Sequence, residues 1–325
     1  MIPRVSVCVP AYQAAAHLQE VLDSVYAQDF GDYELVVVDD GSTDATPEIL
    51  AAQTDPRLRS FRRDRNLGQA ATVAEAVARA RGGLVKFLDA DDLLRRDCLA
   101  TMASAMEAHP RAILAFARRE FLIADPEDPE IQDWITQNGE PHRRFDELAE
   151  VNDGLRLLRQ YLGALLPGNW IAEPAGVMVR REDLLAVGGY NGRVRQNNDM
   201  DLWARLMGRG EMIFIDRPLY DYRLEFNGVT GAQAVEKRQW LDSLWIAEGL
   251  SRVDGFPLAA EVRRARRALL RKALRRTAMT PFREPRRTRR RLADLTAYGG
   301  YRLRAAVGRA PSLYQPIAVP GEPAA

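Results

Sequence analysis

The sequence predicts an α/β fold: a doubly wound, mostly parallel sheet flanked by helices, with a helical, basic C-terminal extension. Three observations predict it. The first third of the chain alternates β-branched runs and amphipathic segments in the order βαβαβαβ. The strands so read close in turn on Pro10-Ala11-Tyr12, Asp39-Asp40 and Asp89-Ala90-Asp91. In an open α/β sheet such ends gather on one edge, where ligands bind. Finally, Ser251 to Ala325 carries 18 basic and 5 acidic residues, a net of +13, whereas the preceding residues sum to −12. Such a split sets a basic appendage with an anionic partner apart from an acidic body.

The elements follow in order. Arg4 to Val9 is a β-branched run closed by Pro10. Ala14 to Gln28 carries Leu18, Val21, Leu22 and Val25 at helical spacing. Glu34 to Val38 is a strand, and Thr43 to Gln53 a helix that Ser42 or Thr43 can cap. Leu58 to Arg62 is a short strand, Gly68 to Ala80 a helix, and Leu84 to Leu88 a buried strand. Helix Arg95 to Ala108 and strand Ile113 to Phe121 extend the unit, and Asp125 to Arg144 reads as a polar, irregular insertion. Beyond it lie helix Leu148 to Leu166, strand Gly176 to Val179, helices Arg181 to Val187 and Met200 to Met207, and strand Glu211 to Ile215. Helices follow over Ala232 to Leu250 and Leu258 to Thr277. The expected organisation is a catalytic domain over 1–230, a helical basic extension over 231–310 and a disordered tail over 311–325.

No window offers the roughly 20 apolar residues of a membrane span, and no leader is expected before the first strand. Cys8 and Cys98 make no disulfide framework. A cytoplasmic protein is expected, in contact at most with the inner membrane face.

The segment Asp89-Ala90-Asp91-Asp92 concentrates three carboxylates within four residues at the end of an apolar strand. They repel one another unless something positive sits among them. A divalent cation carrying a diphosphate suits such oxygens. Alone, the segment reads equally well as a solvated turn.

In combination the segments resemble family 2 glycosyltransferases. Val5-Ser6-Val7-Cys8-Val9-Pro10-Ala11-Tyr12 is similar to their opening strand, and Glu34 to Asp44 to their second strand with its Asp-Gly-Ser-x-Asp turn. Asn66-Leu67-Gly68 resembles the loop before their third helix, and Phe87 to Asp92 their Asp-x-Asp segment. Asn198-Asp199-Met200-Asp201-Leu202-Trp203 is similar to their Glu-Asp-x-Asp-Leu-Trp helix start. The resemblance covers about residues 4 to 230 and implies a GT-A fold. It further implies inverting sugar transfer from a nucleotide-sugar donor, with Mn2+ or Mg2+ as cofactor.

By this resemblance Asp91 is the metal ligand, with Asp89 near the donor ribose and helping the metal. Tyr12 flanks the base, the Pro10-Ala11 backbone bonds to it, and Asp39 accepts from a uracil-type imide beside Asp40. Asn66 and Gly68 approach the nucleotide or shape the loop. Asp199 matches the base that deprotonates the acceptor hydroxyl. Asp201 is the runner-up, or caps the helix. Trp170 either lines the acceptor cleft or packs in the core. Two departures stand out. Asn198 replaces the family's Glu beside the base. The histidine that follows Tyr-x-Tyr-Arg in many members is missing after Tyr220-Asp221-Tyr222-Arg223, which leaves Glu225, Asn227 or water to complete the metal shell. Arg223 is expected on the diphosphate.

In the basic end, Val262, Ala265, Leu269 and Ala273 form one stripe flanked by arginines. Such a helix lies on an anionic bilayer, suiting a lipid-linked or saccharide acceptor, or it packs on the body with a solvated arginine face. Nucleic acid is not expected as a partner, since no aromatic residues interleave the arginines between Arg263 and Arg291 except Phe282. A nucleotidyltransferase is disfavoured, because Pro10-Ala11-Tyr12-Gln13 stands where a glycine-rich phosphate loop belongs. A catalytically lapsed protein that binds nucleotide sugars or membrane surfaces is the remaining alternative.

Overall fold

The computed structural model describes residues 2–225, 239–283, 288–314 and 317–319. Four parallel strands, β1 (Val5–Ala11), β2 (Tyr33–Asp39), β3 (Leu58–Arg62) and β4 (Leu84–Phe87), run in the order β3-β2-β1-β4. The sheet then becomes mixed. β8 (Val177–Arg180) lies antiparallel between β4 and β6 (Ala112–Leu122). β9 (Glu211–Arg223) pairs parallel with β6, and β5 (Leu93–Leu94) and β7 (Val151–Asp153) pair antiparallel with β9.

Every residue of β2 is buried, as expected of a parallel strand covered on both faces. Side-chain alternation splits the core accordingly. Val7, Val9, Leu35 and Val37 meet α1 (Leu18–Tyr26) and α4 (Cys98–Ala108) on one face. Cys8, Val36, Val38 and Phe87 share the other with α3 (Gln69–Arg79), α6 (Gly154–Gly163) and α8 (Asn198–Met207). Parallel register sets Ala11 beside Asp39 and Cys8 beside Phe87, so the first, second and fourth strands do end on one edge.

The structure departs from the sequence reading in places and decides between its alternatives in others. The insertion over Asp125 to Arg144 contains a helix, α5 (Pro129–Asn138), which Asp128 caps by accepting from the Glu130 amide. Its polarity hid it, because only Ile131 is buried along it. Ser42 does not cap α2 (Thr46–Ala51), because its Oγ accepts from the Gln13 amide instead. The apolar stripe of the basic end is spent on the protein itself. Val262, Ala265, Leu269 and Ala273 on α10 (Ala259–Arg283) are buried against α6 and α9 (Gln239–Leu250). The outward side of α10 is left to Arg263, Arg264, Arg267, Arg271, Lys272 and Arg275.

Of the segment expected to be disordered from 311 onward, Leu313 is buried, and Tyr314 bridges to Asn191 with its ring 4.1 Å from the Arg205 guanidinium. The expected boundary at 230 falls outside the described residues. α11 (Thr288–Ala306) lays Tyr298 and Tyr301 edge-on against Trp245 of α9, at 5.1 and 5.3 Å. The described part of the extension thus shares a core with the body. No helix among the described residues is long and apolar enough to cross a membrane.

Candidate active site

The common strand edge carries the first group of predicted residues. Asp39 ends β2 almost fully buried. Its Oδ1 accepts from the Ser42 amide, and its Oδ2 faces Arg62 at 3.3 Å but accepts no hydrogen bond. Tyr12 is 51% exposed beside it, just past Pro10 and Ala11. Asp40 does something other than face a ligand. Both its oxygens are used inside the protein, by the Leu67 and Gly68 amides and by Arg63. It therefore fixes the Asn66–Gly68 loop, leaving Asn66 exposed. The turn requires Gly41, because at φ +75° a Cβ there would lie 2.8 Å from the Arg65 carbonyl carbon.

The carboxylates after β4 form the second group. Asp89 is pushed up to about 7 by burial and by the neighbouring Asp91. Asp91 is exposed in the cleft. Asp92 is buried, raised well above the carboxylate range by burial and by Asp91 and Asp89, and its Oδ2 has no hydrogen-bond partner. Arg223 clasps this loop. Its amide donates to Asp92 Oδ1, its Nε to the Asp91 carbonyl and its Nη2 to Glu20. Holding the loop is thus its visible role, in place of the expected diphosphate contact. His17 lies 3.5 Å from Glu225, and both act electrostatically on Asp91. Asn227 falls outside the described residues.

Beneath the loop, Lys86 is fully buried on β4. It donates to the Phe87, Ala175 and Val177 carbonyls, and burial lowers its pKa.

The third group opens α8. Asp199 is 8% exposed, and burial pushes it up to about 8. Its Oδ2 accepts from Asn169 Nδ2 at 3.2 Å and its Oδ1 from the Met200 amide at 2.7 Å. Asn198, where the family has Glu, accepts from the Asp199 amide and reaches Gln69 at the start of α3. The starts of α3 and α8 are thereby bridged.

Two acceptor-side candidates are buried. Asp201 is fully buried, paired with Arg205 and bonded by Asn191, so it is a packing centre with no access to the cleft. Trp170 is 8% exposed and wedged edge-on against Phe145 and Tyr161, which makes it a core residue.

Sequence reasoning missed a network between these groups. Glu173 pairs with Arg119 and accepts from the Tyr220 hydroxyl at 2.6 Å. Burial alone would raise Glu173, but Arg119 and the two hydrogen bonds more than cancel it, leaving the carboxyl below its usual value. Its negative charge in turn raises Asp89, Asp92 and Asp199. The signal was present: Glu173 is the lone acid between Tyr161 and Val179.

Among the described residues no group of three or more His, Cys, Asp or Glu side chains is arranged to hold a metal. Asp89 and Asp91 still fit a hard cation, because Mg2+-type sites commonly take one or two carboxylates and fill the rest with water and substrate phosphates. The raised carboxylates and the orphaned Asp92 oxygen are what a cation would relieve.

Comparison with known proteins bears on the family and the fold. The family model described as glycosyl transferase family 2 matches residues 6–162. An uncharacterized Mycobacterium tuberculosis protein is 35% identical over 217 residues, 67% of this chain and 66% of that one. The match thus spans just under two thirds of that relative. The putative teichuronic acid biosynthesis glycosyltransferase TuaG of Bacillus subtilis is 28% identical over 245 residues, 73% of this chain and 86% of that one. Among solved structures, S. aureus TarS 1-349 in complex with UDP superposes with a TM-score of 0.60 at 19% identity, covering 86% of this chain and 75% of that one. The mannosyltransferase PcManGT from Pyrobaculum calidifontis, in complex with GDP-Man and Mn2+, gives 0.55 at 23% identity, covering 98% and 82%. These two likenesses establish the fold, which is of the GT-A type.

Proposed function

The chain belongs to glycosyl transferase family 2, and on that premise we propose that it moves a sugar, with inversion, from a nucleotide-diphosphate donor to a hydroxyl acceptor. The observation that carries this reading is the set of incompletely compensated carboxylates, Asp89, Asp91 and Asp199, gathered where three strand ends meet the start of α8.

Asp199 takes the acceptor proton. The freed oxygen attacks the anomeric carbon while the bond from that carbon to the diphosphate oxygen breaks on the opposite side. Asn169 holds the Asp199 carboxylate in one orientation, and burial keeps water from competing. Asp91 and Asp89 would hold Mn2+ or Mg2+, which when bound supplies positive charge for the leaving diphosphate. Asp39 Oδ2, free of hydrogen bonds, is suited to the imide of a uracil-type base, with Tyr12 and the Pro10–Ala11 backbone alongside; a UDP-sugar is the donor this favours. The likeness to TuaG, a putative teichuronic acid biosynthesis glycosyltransferase, supports an acceptor that is a saccharide or lipid-linked saccharide, in bacterial surface polysaccharide or glycolipid assembly. The outward arginines of α10 suit an anionic bilayer at the cytoplasmic face.

Calorimetric titration of UDP and GDP, with and without Mn2+, tests the donor site. Metal-dependent UDP binding that Asp91→Ala abolishes is expected. Binding of neither nucleotide under any metal condition overturns the reading.

A further inference from the structure

We propose that Trp134 and Tyr222 form the platform on which a pyranose ring of the acceptor stacks. This rests on the glycosyltransferase reading and assigns the acceptor side of that site. Trp134 comes from α5, the helix hidden in the polar insertion, and Tyr222 from the end of β9. Their ring centroids are 6.0 Å apart and the planes within 17° of parallel. Phe121 stands edge-on to both, at 6.1 and 6.3 Å. All three rings are partly exposed.

The placement is what points to the acceptor. Tyr222 lies two residues beyond Tyr220 on one strand, hence on the same sheet face, and Tyr220 donates to Glu173 beside the base. The next residue, Arg223, donates to the Asp91 carbonyl. On the other side, Arg144 binds the Gln137 carbonyl of α5 and the Asn169 carbonyl, and Asn169 holds Asp199. Arg119 binds Glu173 and the Asn138 carbonyl, with its guanidinium 5.5 Å from the Trp134 centroid and 5.3 Å from that of Tyr222. The aromatic pair is therefore tied by short chains of contacts to both the Asp91 loop and the proposed base.

The chemistry fits a sugar. One face of a pyranose presents C–H bonds with slight positive charge, and an aromatic face is slightly negative. Hydroxyls at the ring edge need polar partners, which a site lined by rings and a few charged groups provides. Trp134 is not required to seat α5, since Ile131 is buried and Arg119 and Arg144 clamp the helix end.

The test uses the full chain labelled with 5-fluorotryptophan, with Trp134→Phe identifying the Trp134 fluorine resonance. Methyl glycosides of glucose, galactose, mannose and N-acetylglucosamine are titrated in turn. At least one is expected to move that resonance saturably. For that glycoside, Trp134→Ala and Tyr222→Ala should raise the acceptor KM about tenfold or more, with donor nucleotide affinity unchanged and Trp134→Phe recovering most of the loss. A resonance that no glycoside moves, or a KM unchanged in both alanine variants, overturns the platform. The resonance needs no turnover. A chain that binds a glycoside at Trp134 but transfers nothing keeps the platform and refutes the transferase reading. Nucleotide-sugar turnover with a silent Trp134 does the reverse.

Discussion

Two buried carboxylates on neighbouring helices are treated very differently. Glu248 of α9 is fully buried and is met by Arg252, Arg266 and Arg302 and by the Tyr298 hydroxyl. Asp199 is nearly as well shielded, yet its hydrogen bonds come only from a side-chain amide and a backbone amide. The chain is rich in arginine and places it freely elsewhere, including on Asp201, two residues along the same helix. A buried charge lacking a cation is costly to the fold. The C-terminal helices use their charge to hold themselves together, whereas Asp199 is left without a cation, as the proposed role of proton acceptor requires.

The sharpest way to break this contrast is to neutralise Asp199. Asp199→Asn should cut transfer by about 10²–10⁴-fold. It should also raise the melting temperature by a few degrees, on the order of ~1 kcal/mol or more, because the strain of the buried carboxyl is removed. Turnover assays and calorimetry read the two halves. Equal activity in the variant would end the role assigned to Asp199.

Next comes the opposite case. Glu248→Ala strands three arginines and should destabilise the chain by about 3–5 kcal/mol in denaturant titration. Asp201→Ala should act similarly through Arg205. In both, nucleotide affinity below the transition should hold.

The pH dependence sharpens the contrast further. With Asp199 near 8, kcat/KM should rise with pH and level off above that value. Stability should move the other way. The folded pKa lies above the unfolded value of about 3.9, so this group's contribution is fully present below that value and is lost as pH rises through about 8. Both dependences should vanish in Asp199→Asn. The smallest effect belongs to the outward helix face. Charge reversal at Arg267, Arg271 and Arg275 should weaken binding to anionic vesicles by about 1 kcal/mol per residue while leaving nucleotide binding intact.

Much of this site was legible in the sequence because strand periodicity is local. The runs at Val5, Glu34 and Leu84 announced their ends, and parallel pairing then brought Ala11, Asp39 and Asp89 to one edge. Side-chain roles settled by distant partners were not legible. Asp40 looks like a ligand contact until the Leu67 and Gly68 amides arrive from across the loop. Asp201 and Asp199 share a helix turn and a composition, and only Arg205 and Asn169 tell them apart. The two readings of Trp170, cleft or core, likewise needed its distant partners Phe145 and Tyr161 to separate them. The flanks of Trp170 are apolar and fold inward, while Trp134 rides on a polar helix that periodicity could not separate from a loop.

Tyr314 gives the molecule an order of assembly. Its ring covers the Arg205 guanidinium, and its backbone bridges to Asn191, which binds Asp201. The helix that carries Asp199 is therefore finished by a residue synthesised more than a hundred positions later. During translation the sheet and its nucleotide edge can fold as they emerge. On this order α8 is expected to keep one flank open until Tyr314 has left the ribosome. Activity measured on arrested or shortened chains should appear as a step near residue 314, with nucleotide binding established well before it.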